Sequence, residues 1–176
     1  MKYRICVMPG DGIGPEVMEC AVKVLKSLDL EMKFIRAEIG YGCYKEYGEA
    51  LPEKTIETIK SCDSALFAAV TTPPNIENYK SPIVELRKKL DLYVNLRPNK
   101  SYDLEEFRRN IDIVIFRENT EGLYSQVERR EDDGDTAVTE RIITREGSER
   151  IIRYAFEYLK NYGRKKLTLV HKANVL

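Results

Sequence analysis

Three arginines stand where a charge is costly. Arg87 falls beside an apolar stripe of Ile83, Leu86 and Leu90, Arg97 follows an extended run and precedes Pro98, and Arg117 ends the apolar run 111–116. A guanidinium at the end of a buried element needs a carboxylate or phosphate partner, or it costs about several kcal/mol. Glu118 and Glu121 are near enough in sequence to pair with Arg117 internally, and a single arginine is more often structural. Three together point to a polycarboxylate or phosphate site, because the planar fork matches those anions. Tyr124 follows Arg117 closely, but the chain has 11 tyrosines and packing is their commoner use. His171 and Lys172 follow the apolar run 167–170, and ligand sites in α/β sheets cluster at strand ends. The imidazole reads as packed or supporting. The lysine can act as a base if its neighbours lower its pKa.

The run Pro9-Gly10-Asp11-Gly12-Ile13-Gly14-Pro15-Glu16 lies between an extended segment and a helical one. A turn so placed can offer backbone N–H groups to an anion. Its glycines are spaced G-x-G-x-G, which is not the dinucleotide fingerprint. On residues alone, a structural tight turn and a ligand loop are equally supported.

These residues need elements to hold them. Tyr3–Met8 reads as a buried strand, and Pro15 opens a helix on which Val17, Ala21, Val24, Leu25 and Leu28 recur at helical spacing. Met32–Glu38 is a second strand, Tyr41–Tyr47 a short helix stopped by Gly48, Pro52–Ser61 a helix with Ile56 and Ile59 inward, and Ser64–Val70 a strand. This alternation predicts a parallel sheet flanked by helices. After the loop 71–82 comes the helix bearing Arg87, then a strand Tyr93–Leu96 ended by Pro98. Ile111–Phe116 reads as a central strand. Leu123–Arg129 and Thr136–Thr144 read as a hairpin around Asp132-Asp133-Gly134-Asp135. Ser148 is placed to cap a helix carrying Ile151, Ile152, Ala155, Phe156 and Leu159, and Leu167–Val170 reads as a last strand.

The composition is that of a globular domain, with 43% hydrophobic and 33% charged residues among 176. Lys plus Arg and Asp plus Glu are 29 each, which argues against the basic excess that nucleic acid requires. No apolar run approaches a membrane span, and Pro9 ends the first one too early for a signal peptide, so a cytoplasmic protein is expected. Cys6, Cys20, Cys43 and Cys62 form no C-x-x-C pair and read as reduced, mostly packed thiols.

Five motifs in order resemble the isocitrate, homoisocitrate and isopropylmalate dehydrogenases. They are Pro9–Glu16, Leu86-Arg87, Leu90–Pro98, Arg117–Tyr124 and His171–Leu176. The resemblance implies a mixed, parallel-rich α/β sheet flanked by helices, with a β-hairpin arm over 123–144. Residues 1–98 would begin a large α/β domain, and 99–176 a second, dimerising domain. The implied activity is NAD- or NADP-dependent oxidative decarboxylation of a malate-type 2-hydroxy acid, as in amino-acid biosynthesis, with Mg2+ or Mn2+. Arg87, Arg97 and Arg117 would grip carboxylates. Tyr124 would protonate the enol, and Lys172 would reach across a homodimer to deprotonate the hydroxyl. Thr71, Thr72 and Asn174 would approach the nicotinamide, and Ile13 the adenosine end.

Two features depart from the family pattern. Phe67-Ala68-Ala69-Val70 lacks the glycine usual before the Thr-Thr-Pro loop. The family's metal-binding aspartates and main adenosine loop follow the equivalent of Leu176, so the chain reads as an amino-terminal part, inactive alone, with no metal ligand of its own. A non-catalytic binding module is the competing reading. The turn before Arg87 carries Lys80 and Ser81. A hydroxyl six residues before the arginine is the isocitrate-type pattern, so homoisocitrate or isocitrate is expected ahead of 3-isopropylmalate.

Overall fold

The computed structural model describes residues 2–76, 79–132 and 134–172. The chain divides into two compact units, Met1–Leu90 and Asp91–Leu176.

The first unit is a three-stranded parallel sheet with helices. Its elements are β1 (Tyr3–Gly10), α1 (Gly14–Lys26), β2 (Met32–Arg36), α2 (Tyr41–Tyr47), α3 (Glu53–Lys60), β3 (Ser64–Ala69) and α4 (Pro82–Lys89). The strand order is β2-β1-β3, with Cys6 opposite Ile35 on one side and Ala65 on the other. β1 is central and buried on both faces, which explains its unbroken apolar run. Cys6 and Met8 join Ala37, Ile39, Leu51, Ile56 and Leu86 in the core, with Ile59, Phe67, Ile83 and Leu90 packed against it. Ile59 and Ile56 thus point inward as their spacing predicts.

α1 forms where Pro15 predicts it, at the first turn. Its buried residues, however, are Gly14 and Met18, while Val17 and Val24 face outward, Val24 being 63% exposed. The helix carries apolar residues almost all round, and the face that meets the sheet is one position off the expected stripe. α2 ends at Gly48, whose φ of 78° makes the left-handed cap.

The second unit contains β4 (Val94–Lys100), β5 (Asp112–Glu118), β6 (Gly122–Arg130), β7 (Ala137–Ile142) and α5 (Arg145–Asn161). β4 and β5 pair antiparallel, with Asn95 opposite Arg117 and Arg97 opposite Ile115. Pro98 does not end β4. It sits in the ladder opposite Val114, tolerated because β4 is paired on one edge only among the described residues. β5 is likewise not central here. It alternates, with Val114, Phe116 and Glu118 half-buried and Ile113 and Ile115 52% and 46% exposed. α5 packs on the half-buried face, where Phe116 meets Tyr154 and Tyr158 at centroid distances of 6.0 and 5.1 Å.

β6 and β7 form the expected antiparallel hairpin, with a register shift between Gly122 and Val127. Gln126 lies in that irregular stretch with φ 54°. α5 is capped by Thr144, whose hydroxyl accepts from Gly147 N at 2.9 Å. Ser148, the expected cap, lies inside the first turn and donates its hydroxyl back to Thr144 O. Residues 167–170 form no strand, and Val170 is 84% exposed. An apolar run makes a strand only when a neighbour supplies a ladder, and none does among the described residues. No helix among them is long and apolar enough to cross a membrane.

Candidate functional site

In the first unit, the loops at the carboxyl ends of β1 and β3 meet at Asp11. Its Oδ2 accepts from Tyr41 N at 2.5 Å and from Thr71 N at 3.3 Å, and its Oδ1 accepts from Gly42 N at 2.6 Å. One carboxylate therefore takes the free N–H groups at the start of α2 and pins the Thr71 loop. The approach is so close that a Cβ at Gly40, where φ is 108°, would strike this carboxylate. The glycine loop is thus a structural knot, and it accepts hydrogen bonds through its own anion. It also leaves Ile13, 56% exposed, at the start of α1, and Thr71 and Thr72 exposed on the neighbouring loop. Asp11 ties the Thr71 loop to the glycine loop that carries Ile13. Asp11 itself was not singled out from the sequence, because its partners lie 30 to 60 residues away.

Ser81 sits at the N-cap of α4 in extended conformation, yet its side chain makes no cap hydrogen bond. Its carbonyl instead accepts from Val84 N and Glu85 N. Arg87 is half-buried on the same helix. Val84 is buried, and Ile83 packs against the core.

In the second unit, Asn95, Arg97 and Arg117 share one face of the β4–β5 ladder, since residues two apart, and directly paired ones, point the same way. Arg97 Nε donates to Asn95 Oδ1 at 3.0 Å. Arg117 Nη2 donates to the Tyr124 hydroxyl at 2.6 Å, with its guanidinium 5.3 Å from that ring's centroid. Among the described residues neither Arg97 nor Arg117 has a carboxylate within ion-pair distance.

The internal pairing open to Arg117 in the sequence is thus not made. Glu118 points to the other face and accepts from Thr120 N at 3.0 Å, Thr120 Oγ1 at 2.6 Å and Glu121 N at 2.7 Å. Burial pushes its pKa up, but these bonds and Arg150 outweigh it and hold the carboxyl below the ordinary glutamate range. Glu121 accepts from Thr144 N at 2.9 Å and from the Thr144 hydroxyl.

His171 and Lys172 are exposed and lie in no helix or strand. Asn174 lies outside the described residues. Among those residues no three His, Cys, Asp or Glu side chains are grouped to hold a metal ion. The carboxylate of Asp11 in the first unit, and those of Glu118 and Glu121 in the second, accept from N–H and O–H donors.

The parallel sheet of the first unit and the antiparallel ladders of the second are those of a mixed α/β protein. The family model for isocitrate/isopropylmalate dehydrogenase matches residues 4–176, and the chain belongs to that family of decarboxylating dehydrogenases. A homoisocitrate dehydrogenase of Methanocaldococcus jannaschii is 50% identical over 98% of this chain and 53% of its own length. A 3-isopropylmalate dehydrogenase of Methanothermobacter thermautotrophicus is 47% identical over 99% of this chain and 51% of its own. The crystal structure of isocitrate dehydrogenase from Methylococcus capsulatus superposes with a TM-score of 0.88 at 38% identity, covering 98% of this chain and 52% of that one. The chain spans about half the length of the curated relatives it matches.

Proposed function

We propose that the complete protein carries out NAD- or NADP-dependent oxidative decarboxylation of a malate-type acid, with homoisocitrate or isocitrate as substrate. The observation that carries this reading is the pair Arg97 and Arg117 on one sheet face, without carboxylate partners among the described residues and with Tyr124 beside Arg117. An uncompensated pair of guanidinium groups is suited to a dianion. Arg97 and Arg117 hold carboxylates of the acid. Tyr124 gives its hydroxyl proton to the carbon that loses carbon dioxide. A tyrosine suits that task because its phenol hydroxyl can both accept and donate a hydrogen bond. Lys172 of a partner copy takes the proton of the C2 hydroxyl. Thr71 and Thr72 would hold the nicotinamide end of such a cofactor and Ile13 its adenosine end, and the cofactor would supply the hydride acceptor. The Mg2+ or Mn2+ of such an enzyme would take its ligands from outside the described residues.

The choice of substrate rests on α4. Ser81 does not use its hydroxyl as a helix cap, and Lys80 beside it adds a positive charge. Both suit a third carboxylate. Val84 is buried and Ile83 is partly buried against the core of their own unit, and both could still line a pocket for an isopropyl group. A charge-assisted hydrogen bond contributes about 1.5–3 kcal/mol. Ser81→Ala in the full-length gene product should therefore lower kcat/KM for the tricarboxylic acid by roughly 10-fold or more, and for 3-isopropylmalate by much less. Equal effects, or a wild type that prefers 3-isopropylmalate, would overturn this choice.

The absence of a grouped metal-ligand set among the described residues favours a second reading for the 176-residue chain alone, a binding module without turnover. Assaying the isolated chain beside the full-length gene product separates the two.

A further inference from the structure

Arg150, on the second turn of α5, is the hub of a half-buried cluster. Its Nη1 donates to Asp91 Oδ1 at 2.8 Å, and its Nη2 donates to Thr120 Oγ1 at 2.6 Å and to Glu118 Oε1 at 3.4 Å. The guanidinium lies over the Tyr93 ring, 4.5 Å from its centroid. Its Nε is buried with no acceptor among the described residues. The outer fork and the ring contact therefore fix its orientation.

Each partner sits next to the proposed acid-binding residues. Asp91 and Tyr93 lead into β4, which carries Asn95 and Arg97. Glu118 ends β5 directly after Arg117, and the pair Val94–Glu118 is the rung beside Asn95–Arg117. Glu118 also folds the turn 118–121 through three hydrogen bonds, and Tyr124 N donates to Glu121 O at that turn's end. Arg150 thus reaches both flanks of the Arg117–Tyr124 pair from the opposite face of β5.

We propose that Arg150 is a positioning residue for that pair. By joining Asp91, Glu118 and Thr120 it fixes where β4 begins and where β5 turns away. This holds the Arg117 guanidinium and the Tyr124 hydroxyl towards the acid. The inference rests on the reading of Arg117 and Tyr124 given under the proposed function. A lysine cannot replace Arg150 here, because one ammonium cannot span Asp91 and Thr120 while lying flat on a ring.

The test is steady-state kinetics on the full-length gene product, with homoisocitrate and isocitrate as varied acids and the nicotinamide cofactor varied separately. Arg150→Lys, Arg150→Met and Thr120→Val are compared with Arg117→Met, and thermal unfolding is recorded for each. Arg150→Lys and Arg150→Met should raise KM for the acid by about 10-fold or more, with Thr120→Val moving it the same way by less. KM for the cofactor should stay within about twofold in all of them. A fall in melting temperature with KM for the acid unmoved identifies a purely structural clamp and overturns the proposal. If Arg150→Met does not fold, Arg150→Lys and Thr120→Val decide on the same criteria. Should Arg117→Met raise KM for the acid while Arg150→Lys and Thr120→Val match wild type, the positioning role fails alone. Should Arg117→Met leave KM unchanged, the site reading fails and this inference falls with it.

Discussion

Asp11 does at the first site what no bound anion needs to do. Its two oxygens accept from Tyr41, Gly42 and Thr71 N–H groups, joining a short helix to two loops at the carboxyl end of a parallel sheet. Asp11→Asn keeps the shape but turns an acceptor into an amide donor facing an N–H. It should destabilise the protein by about 1–3 kcal/mol, measured as a shift in the urea midpoint. An unchanged midpoint means the loops hold themselves. The cysteines divide by the same local logic. Cys6 is fully buried in the central strand, and burial first, then nearby Cys62, pushes its thiol up to about 11. Only the thiolate reacts readily with alkylating agents, and Cys20 is exposed. Iodoacetamide at mildly alkaline pH should label Cys20 and spare Cys6 in the native protein, read by peptide mass. Equal labelling of the two would mean that β1 opens on the timescale of the reaction.

At the scale of elements, what the sequence reveals and what it hides have separate causes. Local chemistry was readable: Pro15 at the start of α1, Gly48 at the end of α2, and the antiparallel hairpin of β6 and β7. What needed a partner elsewhere in the chain was not. Which stripe of α1 meets the sheet depends on the sheet, so Met18 is buried and Val24 is not. Whether Pro98 ends a strand depends on how many neighbours that strand has. Glu118 looked like a partner for Arg117, but strand alternation turns the two to opposite faces. The bonds Glu118 makes instead have a consequence for pH. Its carboxyl is held below the ordinary glutamate value of 4.5 by donors that outweigh burial. The folded state therefore binds this proton less readily than the unfolded chain does. The resulting stability is fully present above about pH 4.5 and is lost as pH falls through the lower folded value. Wild type should be more stable than Glu118→Gln at neutral pH, and the gap should shrink at about pH 3, as read from denaturant midpoints. A gap that stays constant in acid would place the stabilisation in shape rather than charge.

At the scale of the whole molecule, the hairpin poses the clearest question. A two-stranded hairpin is marginal in water by itself, and this one leaves Leu123 67% exposed and Ile142 38% exposed. Exposed apolar side chains gathered on one hairpin favour coverage by another chain. We propose that a second copy of the protein provides it, pairing hairpin with hairpin, and that Lys172 acts across the same interface. A two-fold pairing is self-complementary, so one substitution alters the contact twice. Ile142→Glu brings a carboxylate to each side of the pair without touching Arg97, Arg117 or Tyr124. Light scattering on the full-length gene product should find a dimer for wild type and a shift towards monomer for Ile142→Glu. Turnover should fall with the monomer fraction and recover as protein concentration rises. A wild-type monomer with full turnover would rule out the shared site, and so would an Ile142→Glu monomer as active as wild type.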